Sequence, residues 1–590
     1  MVSASLYAKK PIIFLITILI AIGFFVYFFN LNNPLFWDDD DWIIRNNFVH
    51  TISWDNIKFW LTHNTLAGVG MESNYYRPFL FFTFALNYII SGIKPFSYHL
   101  FNNLIHIANG LLIFILVYKI FKKKLFVFLA SLIFLIHPLQ TEAITYVSGR
   151  GDALVTFFML LALLFFYKAE NNSLDGTSIK KIFSLIFLVL GLLSRETAII
   201  FPFLALVFYI SFISKERFLK SVKQGLIKTW PYFLAVLVYG LLRLTVLNFQ
   251  NTLNFYATPN LYSENLHYRL FTFMHVLVDY FKLLFVPTGL HMERSMTVHT
   301  SLFQWPVWLG ALIIFGILVM LYWLYKNRHP DFKIWLFGWG VFFIALGPVS
   351  GITPINALIY EHWLYLPMVG FWLIASFYVV KLLDCQSATF LKIQGRTLVI
   401  VALIAYFLFF AYQSIQRNIL WGNQLDFYSD ILKYEPNSVR INNNVGNIYY
   451  NKKDLENAEK YYRIAVSQDD IFAEPHFNLG TILQSRGDIY GAVKLYEKAI
   501  EINPNFYYPY QNLAVIYAQQ GNLTKAVENI EKLKLLIPNN PRVYYNSALV
   551  YLALDNKTKA LEDLRKGLEF ANSDLETGRL MEELARELSK

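Results

Sequence analysis

The sequence predicts an all-α chain in two parts: a polytopic bundle of about eleven membrane-spanning helices, then a solenoid of paired helices. Three observations predict it. Only 16% of the 590 residues are charged and 56% are hydrophobic, whereas a soluble chain carries about 25% charged residues. Before about residue 413 the apolar residues gather in runs of about 17 to 25, the length that crosses a bilayer. From about residue 439 a 34-residue period replaces those runs. A soluble enzyme, a disordered chain and a secreted disulfide scaffold are excluded. The single cysteine, Cys385, has no internal partner, so redox chemistry is disfavoured.

The first run, 11–29, follows Lys9 and Lys10 and lacks a small-residue cleavage site, so it reads as a retained signal anchor. Further spans are expected at 98–121, 125–141, 150–168, 182–194, 196–213, 230–249, 305–325, 334–353, 362–380 and 397–413. The connecting loops at 122–124, 180–181, 215–228, 326–333 and 381–396 are basic. Those at 31–75, 137–149, 251–266 and 288–304 carry few lysines, and this alternation places the second set outside. Residues 267–287 are apolar but hold His267, Arg269, His275, Asp279 and Lys282. Counting them as a span would move the following basic loops outside, so they read as an amphipathic or re-entrant helix at the outer membrane edge.

Residues 414–590 hold 21 basic and 23 acidic side chains, a net of −2. The other 30 basic and 18 acidic side chains give residues 1–413 a net of +12. The positive surplus therefore belongs to the membrane part, where it orients the chain; nucleic-acid binding is not implied.

In the C-terminal part Gly446, Gly480, Ala514 and Ala548 stand 34 apart, as do Ala458, Ala492, Ala526 and Ala560. Pro504 and Pro538 close two units, Pro436 lies two periods before Pro504, and Tyr449, Tyr517 and Tyr551 share an aromatic position. Small residues let paired helices approach, and the proline stops the second helix. This is the tetratricopeptide (TPR) pattern, with about four units. The expected organisation is a membrane module over 1–413, a connecting helix over 414–438 and repeats over 439–590. Arrays of this kind bind peptides or proteins on their concave face, which favours acceptor or partner binding over a rigid lid.

Five clusters on the expected outer face carry chemistry. FWDDDDW (36–42) sets four carboxylates between two tryptophans beside the bilayer, a costly place for charge unless it is paired, solvated or used. HPLQTE (137–142) brings His137 and Glu142, and GRGD (149–152) brings Arg150 and Asp152. Ser194-Arg195-Glu196, the run Tyr75-Tyr76-Arg77-Pro78, and Glu361-His362 complete the set. An arginine at one helix end usually snorkels to lipid phosphate, and the acidic run alone reads equally as a solvated collar. Five clusters on one membrane face point instead to function.

Such a set suits sugar transfer from a polyprenyl-phosphate sugar, whose phosphate already leaves readily. A carboxylate would take the proton of the acceptor hydroxyl, and arginines would hold the phosphate bidentately. No Gly-rich phosphate loop or zinc spacing appears. The carboxylates are also candidate ligands for a divalent cation; no other cofactor is expected.

The ordered series FWDDDDWIIRNN (36–47), YYRPFLFFTFALNYIISGIKPFSYHLFNNLIH (75–106), HPLQTEAITYVSGRGDAL (137–154), SRE (194–196) and EHWLYLP (361–367), followed by TPRs, resembles one family. It is the transmembrane-and-TPR O-mannosyltransferase-like family, in the GT-C class of polyprenyl-phosphate-dependent glycosyltransferases. The resemblance implies a multispanning GT-C fold whose first outer loop supplies an acidic catalytic pair. Alignment on Asn46-Asn47 gives Asp39 and Asp40; a shift of one residue gives Asp38 and Asp39. Glu142, Arg150 and Asp152 match the family's second outer loop, and Arg195-Glu196 replaces its usual Lys-Glu. His362 stands where the family usually has Arg, and a neutral His holds phosphate less well. The donor phosphate or sugar would then meet Arg77, His137, Glu142, Arg150, Asp152, Arg195, Glu196, Glu361 and His362.

The expected protein is a multi-pass plasma (inner) membrane enzyme of bacterial type, with site and TPRs on the outer side. It would move a mannose-like sugar, with inversion, to a protein or glycan acceptor engaged by the TPRs. The competing readings are an envelope oligosaccharide ligase or polymerase, and a non-enzymatic membrane anchor for TPR-mediated assembly. The ligases place their key Arg and His in a long late outer loop, which is short here at about 354–361. The anchor predicts no convergence of Asp39, Glu142, Arg150 and Arg195.

Overall fold

The computed structural model describes residues 2–71, 73–171, 177–247, 260–355, 357–384, 393–468, 472–571 and 574–589. Cys385, the loop stretch 251–259 and positions 385–392 of the last basic loop lie outside the described residues. Among the described residues every regular element is helical. The chain divides into two units, Met1–Phe427 and Tyr428–Lys590.

In the first unit nine helices among the described residues are long and apolar enough to cross a membrane, so the chain is a multi-pass membrane protein. They are Pro11–Asn30, Phe96–Phe121, Val147–Asn171, Glu196–Ile213, Phe218–Leu247, Trp305–Lys326, Phe332–Val349, Pro367–Asp384 and Arg396–Leu420. The span expected over 125–141 is instead two helices, Lys124–Ile136 and Pro138–Thr145, bent by 52°; counted as one span it makes a tenth. Proline has no N–H and drives the residue before it out of the helical region. His137 accordingly has ψ 130°, and its Nδ1 accepts the Leu139 N–H at 3.3 Å, capping the new turn.

The segment expected over 182–194 is the end of helix Thr177–Ser194, which packs along Arg150–Asn171. The stretch over 362–380 begins later, at Pro367, because 361–364 form a 3₁₀ turn. Residues 267–287 form the 20-residue helix Leu266–Phe285. Thr272, Phe273, Val276, Leu277, Tyr280, Leu283 and Leu284 are buried at three- and four-residue spacing, the mark of an amphipathic helix.

The second unit is built of four helix pairs and a closing helix, Leu575–Leu588. The pairs are Val439–Asn451 with Leu455–Gln468, Ala473–Ser485 with Ile489–Ile502, Tyr507–Gln519 with Leu523–Leu536, and Pro541–Ala553 with Lys557–Leu568. Ser438, Asp488, Asn522, Asn540 and Asn556 cap helix starts with their side chains.

Candidate functional site

The first long loop leaves helix Pro11–Asn30 through Trp37, whose φ of 64° is left-handed, uncommon for a residue with a side chain. Two residues on, Asp39 is 2% exposed. Its Oδ1 accepts the Ser148 N–H at 2.8 Å and the Ser148 Oγ–H at 2.5 Å, and its Oδ2 accepts the Phe36 N–H at 3.3 Å. Burial nonetheless raises the Asp39 carboxyl to about 7; the Ser148 and Phe36 bonds oppose the rise and the Asp38 charge adds to it. Asp40 and Asp41 are partly exposed, and burial raises both while Arg45 counters. Asp41 pairs with Arg45 at 3.4 Å. Asp38 is exposed and lies within electrostatic reach of Tyr75 and Tyr146.

Tyr75 leads to an arginine cluster. Arg77, at the start of helix Pro78–Ser91, stacks its guanidinium 4.4 Å from the Tyr75 ring centre and 5.6 Å from that of Trp42. Its Nε reaches Glu196 Oε2 at 3.1 Å, and Arg243 Nη1 reaches Glu196 Oε1 at 3.4 Å. Arg195 Nη1 pairs with Asp152 Oδ2 at 2.5 Å. Three guanidinium groups thus face two carboxylates, leaving one positive charge in surplus among these five side chains.

A second cluster joins Glu142 to the 3₁₀ turn at 361–364. Glu142, fully buried, accepts the Glu361 and His362 N–H groups on Oε2 at 3.1 and 3.2 Å, and its Oε1 lies 2.8 Å from His362 Nδ1. Glu361, also fully buried, accepts the His291 N–H at 2.7 Å and Arg294 Nη2 at 2.8 Å on Oε1, and Arg417 Nη2 at 3.0 Å on Oε2. Arg417 further donates to Thr141 Oγ1 at 3.1 Å and to the Leu290 carbonyl.

One segment, 137–152, touches every cluster. It meets the 361–364 turn through Glu142, the acidic loop through Ser148 and Arg195 through Asp152. Its own turns are tight: a Cβ on Gly149 would stand 3.0 Å from the Glu142 carbonyl oxygen. Two predicted residues of this segment fasten helices instead of facing the open clusters. His137 Nε2 lies 3.0 Å from the Leu284 carbonyl, with its ring against Trp372 and Phe410. Arg150, fully buried, donates to Asn102 Oδ1 at 2.6 Å, Thr83 Oγ1 at 3.0 Å and the Tyr98 carbonyl at 3.1 Å, between the rings of Phe84 and Phe101. Ser148, Arg243, Arg294 and Arg417 were not predicted; nothing in their local sequence marks them. Among the described residues no three His, Cys, Asp or Glu side chains converge as metal ligands.

Comparison with known proteins bears on both units. Tetratricopeptide repeat models match residues 439–470, 473–506, 495–528 and 541–574. The Mus musculus protein O-mannosyl-transferase TMTC3 is 27% identical over 442 residues, which cover 68% of this chain and 45% of that protein. The Caenorhabditis elegans protein O-mannosyl-transferase F38B6.6 is 25% identical over 474 residues, covering 78% and 63%. The chain thus spans about half the length of the curated relatives it matches. Among solved structures, MamA aligns at 24% identity and TM-score 0.24, covering 26% of this chain and 89% of that one.

Proposed function

We propose that this chain, whose relatives are the transmembrane-and-TPR protein O-mannosyl-transferases, moves a mannose-like sugar from a polyprenyl-phosphate donor to a hydroxyl of a protein acceptor. The observation that carries the reading is the single segment 137–152, which contacts the acidic loop through Ser148, the arginine cluster through Asp152 and His362 through Glu142. The donor phosphate sits among Arg77, Arg195 and Arg243, whose surplus charge suits an anion, while Asp152 and Glu196 fix the guanidinium planes. As the acceptor oxygen bonds to the sugar's anomeric carbon, the bond from that carbon to the phosphate oxygen breaks and the phosphate keeps the electron pair. The hydroxyl proton goes to a carboxylate of the acidic loop. The arginines stabilise the charge that develops on the phosphate.

Within the acidic run, Asp38 and Asp39 form the working pair. Asp38 is the exposed member beside Tyr75, and Asp39 is the anchored one. Asp40 has Arg45 and Asp41 as its charged neighbours. Charge alternation supports a site and repeats on the outer face, with the TPR array presenting the protein acceptor.

The test supplies membranes holding the chain with labelled polyprenyl-phosphate mannose and follows label into protein. The wild type is expected to transfer label, Asp38→Asn and Asp39→Asn to lose at least about a hundredfold in rate, and Asp40→Asn to keep most of it. A wild type that labels no acceptor from any polyprenyl-phosphate hexose sinks the reading, and full activity in both Asp38→Asn and Asp39→Asn sinks the assignment.

A further inference from the structure

Ser148 sits in the 3₁₀ turn 147–149, immediately before the helix that carries Asp152, and is 3% exposed. Its N–H and its hydroxyl both donate to the same oxygen, Oδ1, of Asp39. Oδ2 of that carboxylate receives the longer Phe36 bond. The aspartate is thus gripped from one side by a residue 109 positions away in the chain.

The loop that Asp39 belongs to needs holding. Trp37 adopts a left-handed backbone, a strained state that persists only where its surroundings over-determine it. The Asp40 N–H donates to the Trp37 carbonyl at 3.1 Å, so the strained turn and Asp39 move together. Asp38 lies between them.

We infer that Ser148 is a positioning residue for sugar transfer: by clamping Asp39 it fixes the strained turn 36–40 and presents Asp38 to Tyr75 and the arginine cluster. The inference rests on the role proposed above for the acidic loop. The clamp has a pH dependence whose sign follows from its chemistry. An ionised carboxylate is the stronger acceptor, and Asp39 loses its charge as pH falls through about 7. The charged and titratable groups that sense it are Asp38 on its own loop, Tyr98 and Arg150 beneath it, and Tyr146 beside Ser148. The Ser148 hydroxyl favours the ionised form, so its removal makes Asp39 take up a proton at higher pH.

The test measures transfer from polyprenyl-phosphate mannose to protein by the purified full chain between about pH 5.5 and 8.5, at varied donor concentration. For Ser148→Ala, kcat at neutral pH should fall about tenfold and the acid limb should move up by about one pH unit. KM for the donor should stay as in the wild type, since the phosphate-holding arginines are untouched. Ser148→Thr, which keeps the hydroxyl, should restore the wild-type profile. Ser148→Cys, a weak donor, should fall between and serves where Ser148→Ala does not fold. A wild-type pH profile in Ser148→Ala, or equal losses in the Ala and Thr variants together with a lowered unfolding temperature, overturns the inference while leaving the proposed function standing. A wild type that transfers nothing overturns that function and the inference with it.

Discussion

Asp39 combines deep burial with an acid strength weakened to about 7 from an ordinary 3.8, so the native fold binds its proton more tightly than the unfolded chain does. Any stability from this group is therefore present below about pH 3.8 and is lost as pH rises through about 7. At about 1.4 kcal/mol per pH unit, that interval corresponds to roughly 4 kcal/mol. Asp39→Asn removes the titration and keeps one acceptor for Ser148. The variant should unfold at a higher temperature than the wild type at pH 8, with the difference vanishing near pH 4, while losing transfer activity. Thermal unfolding in detergent across that range checks it; a lower unfolding temperature at pH 8 refutes it. The acidic run was legible in the sequence because charge is so scarce around it. Arg294 and Arg417 were not: Arg417, near the end of its helix, reads as a lipid anchor, and Arg294 reads as an ordinary loop residue. Their partner Glu361 lies 67 and 56 positions away, a pairing that only the fold creates.

At the scale of the element, the repeats show how volume is shared between paired helices. The small position on the first helix is Gly446, Gly480, Ala514 and Ala548, and the residue sixteen positions later is Tyr462, Tyr496, Ile530 and Leu564. Glycine thus goes with tyrosine, and alanine with a branched aliphatic residue. A Cβ on Gly446 would lie 2.4 Å from the Tyr462 ring, and one on Gly480 would lie 2.8 Å from Tyr496. Gly480→Ala should therefore destabilise the second unit by about 1–3 kcal/mol, the usual cost of overpacking. Adding Tyr496→Ile should recover part of that loss, because it recreates the Ala514–Ile530 arrangement. Recovery stays incomplete since the Tyr496 hydroxyl also donates to Gln484 at 2.7 Å. Urea unfolding followed by circular dichroism checks the pair; strict additivity of the two changes refutes the coupling. The period of the repeats was plain in the sequence. The bend in the stretch predicted over 125–141 was masked by apolar composition, although Pro138 carries its cause.

For the whole molecule, the charge split between a +12 membrane part and a −2 repeat part becomes a statement about sidedness. Among the described residues one candidate span, Arg396–Leu420, stands between Cys385 and the repeats in the sequence, which predicts that the cysteine and the TPR unit face opposite sides of the membrane. By the positive-inside rule the basic stretch 381–396 is expected inside, which predicts Cys385 inside and the repeats outside. The chain's single cysteine is therefore a natural reporter. In sealed cells a membrane-impermeant maleimide should leave the native chain unlabelled and label it after permeabilisation. With Cys385→Ser in place, Tyr490→Cys, at a position 84% exposed in the repeats, should label without permeabilisation. Labelling of Cys385 in sealed cells reverses the orientation and removes the outward-facing site. Labelling of both positions from the same side means that Arg396–Leu420 does not cross, and the acidic loop and the repeats would then have to be assigned to their faces independently.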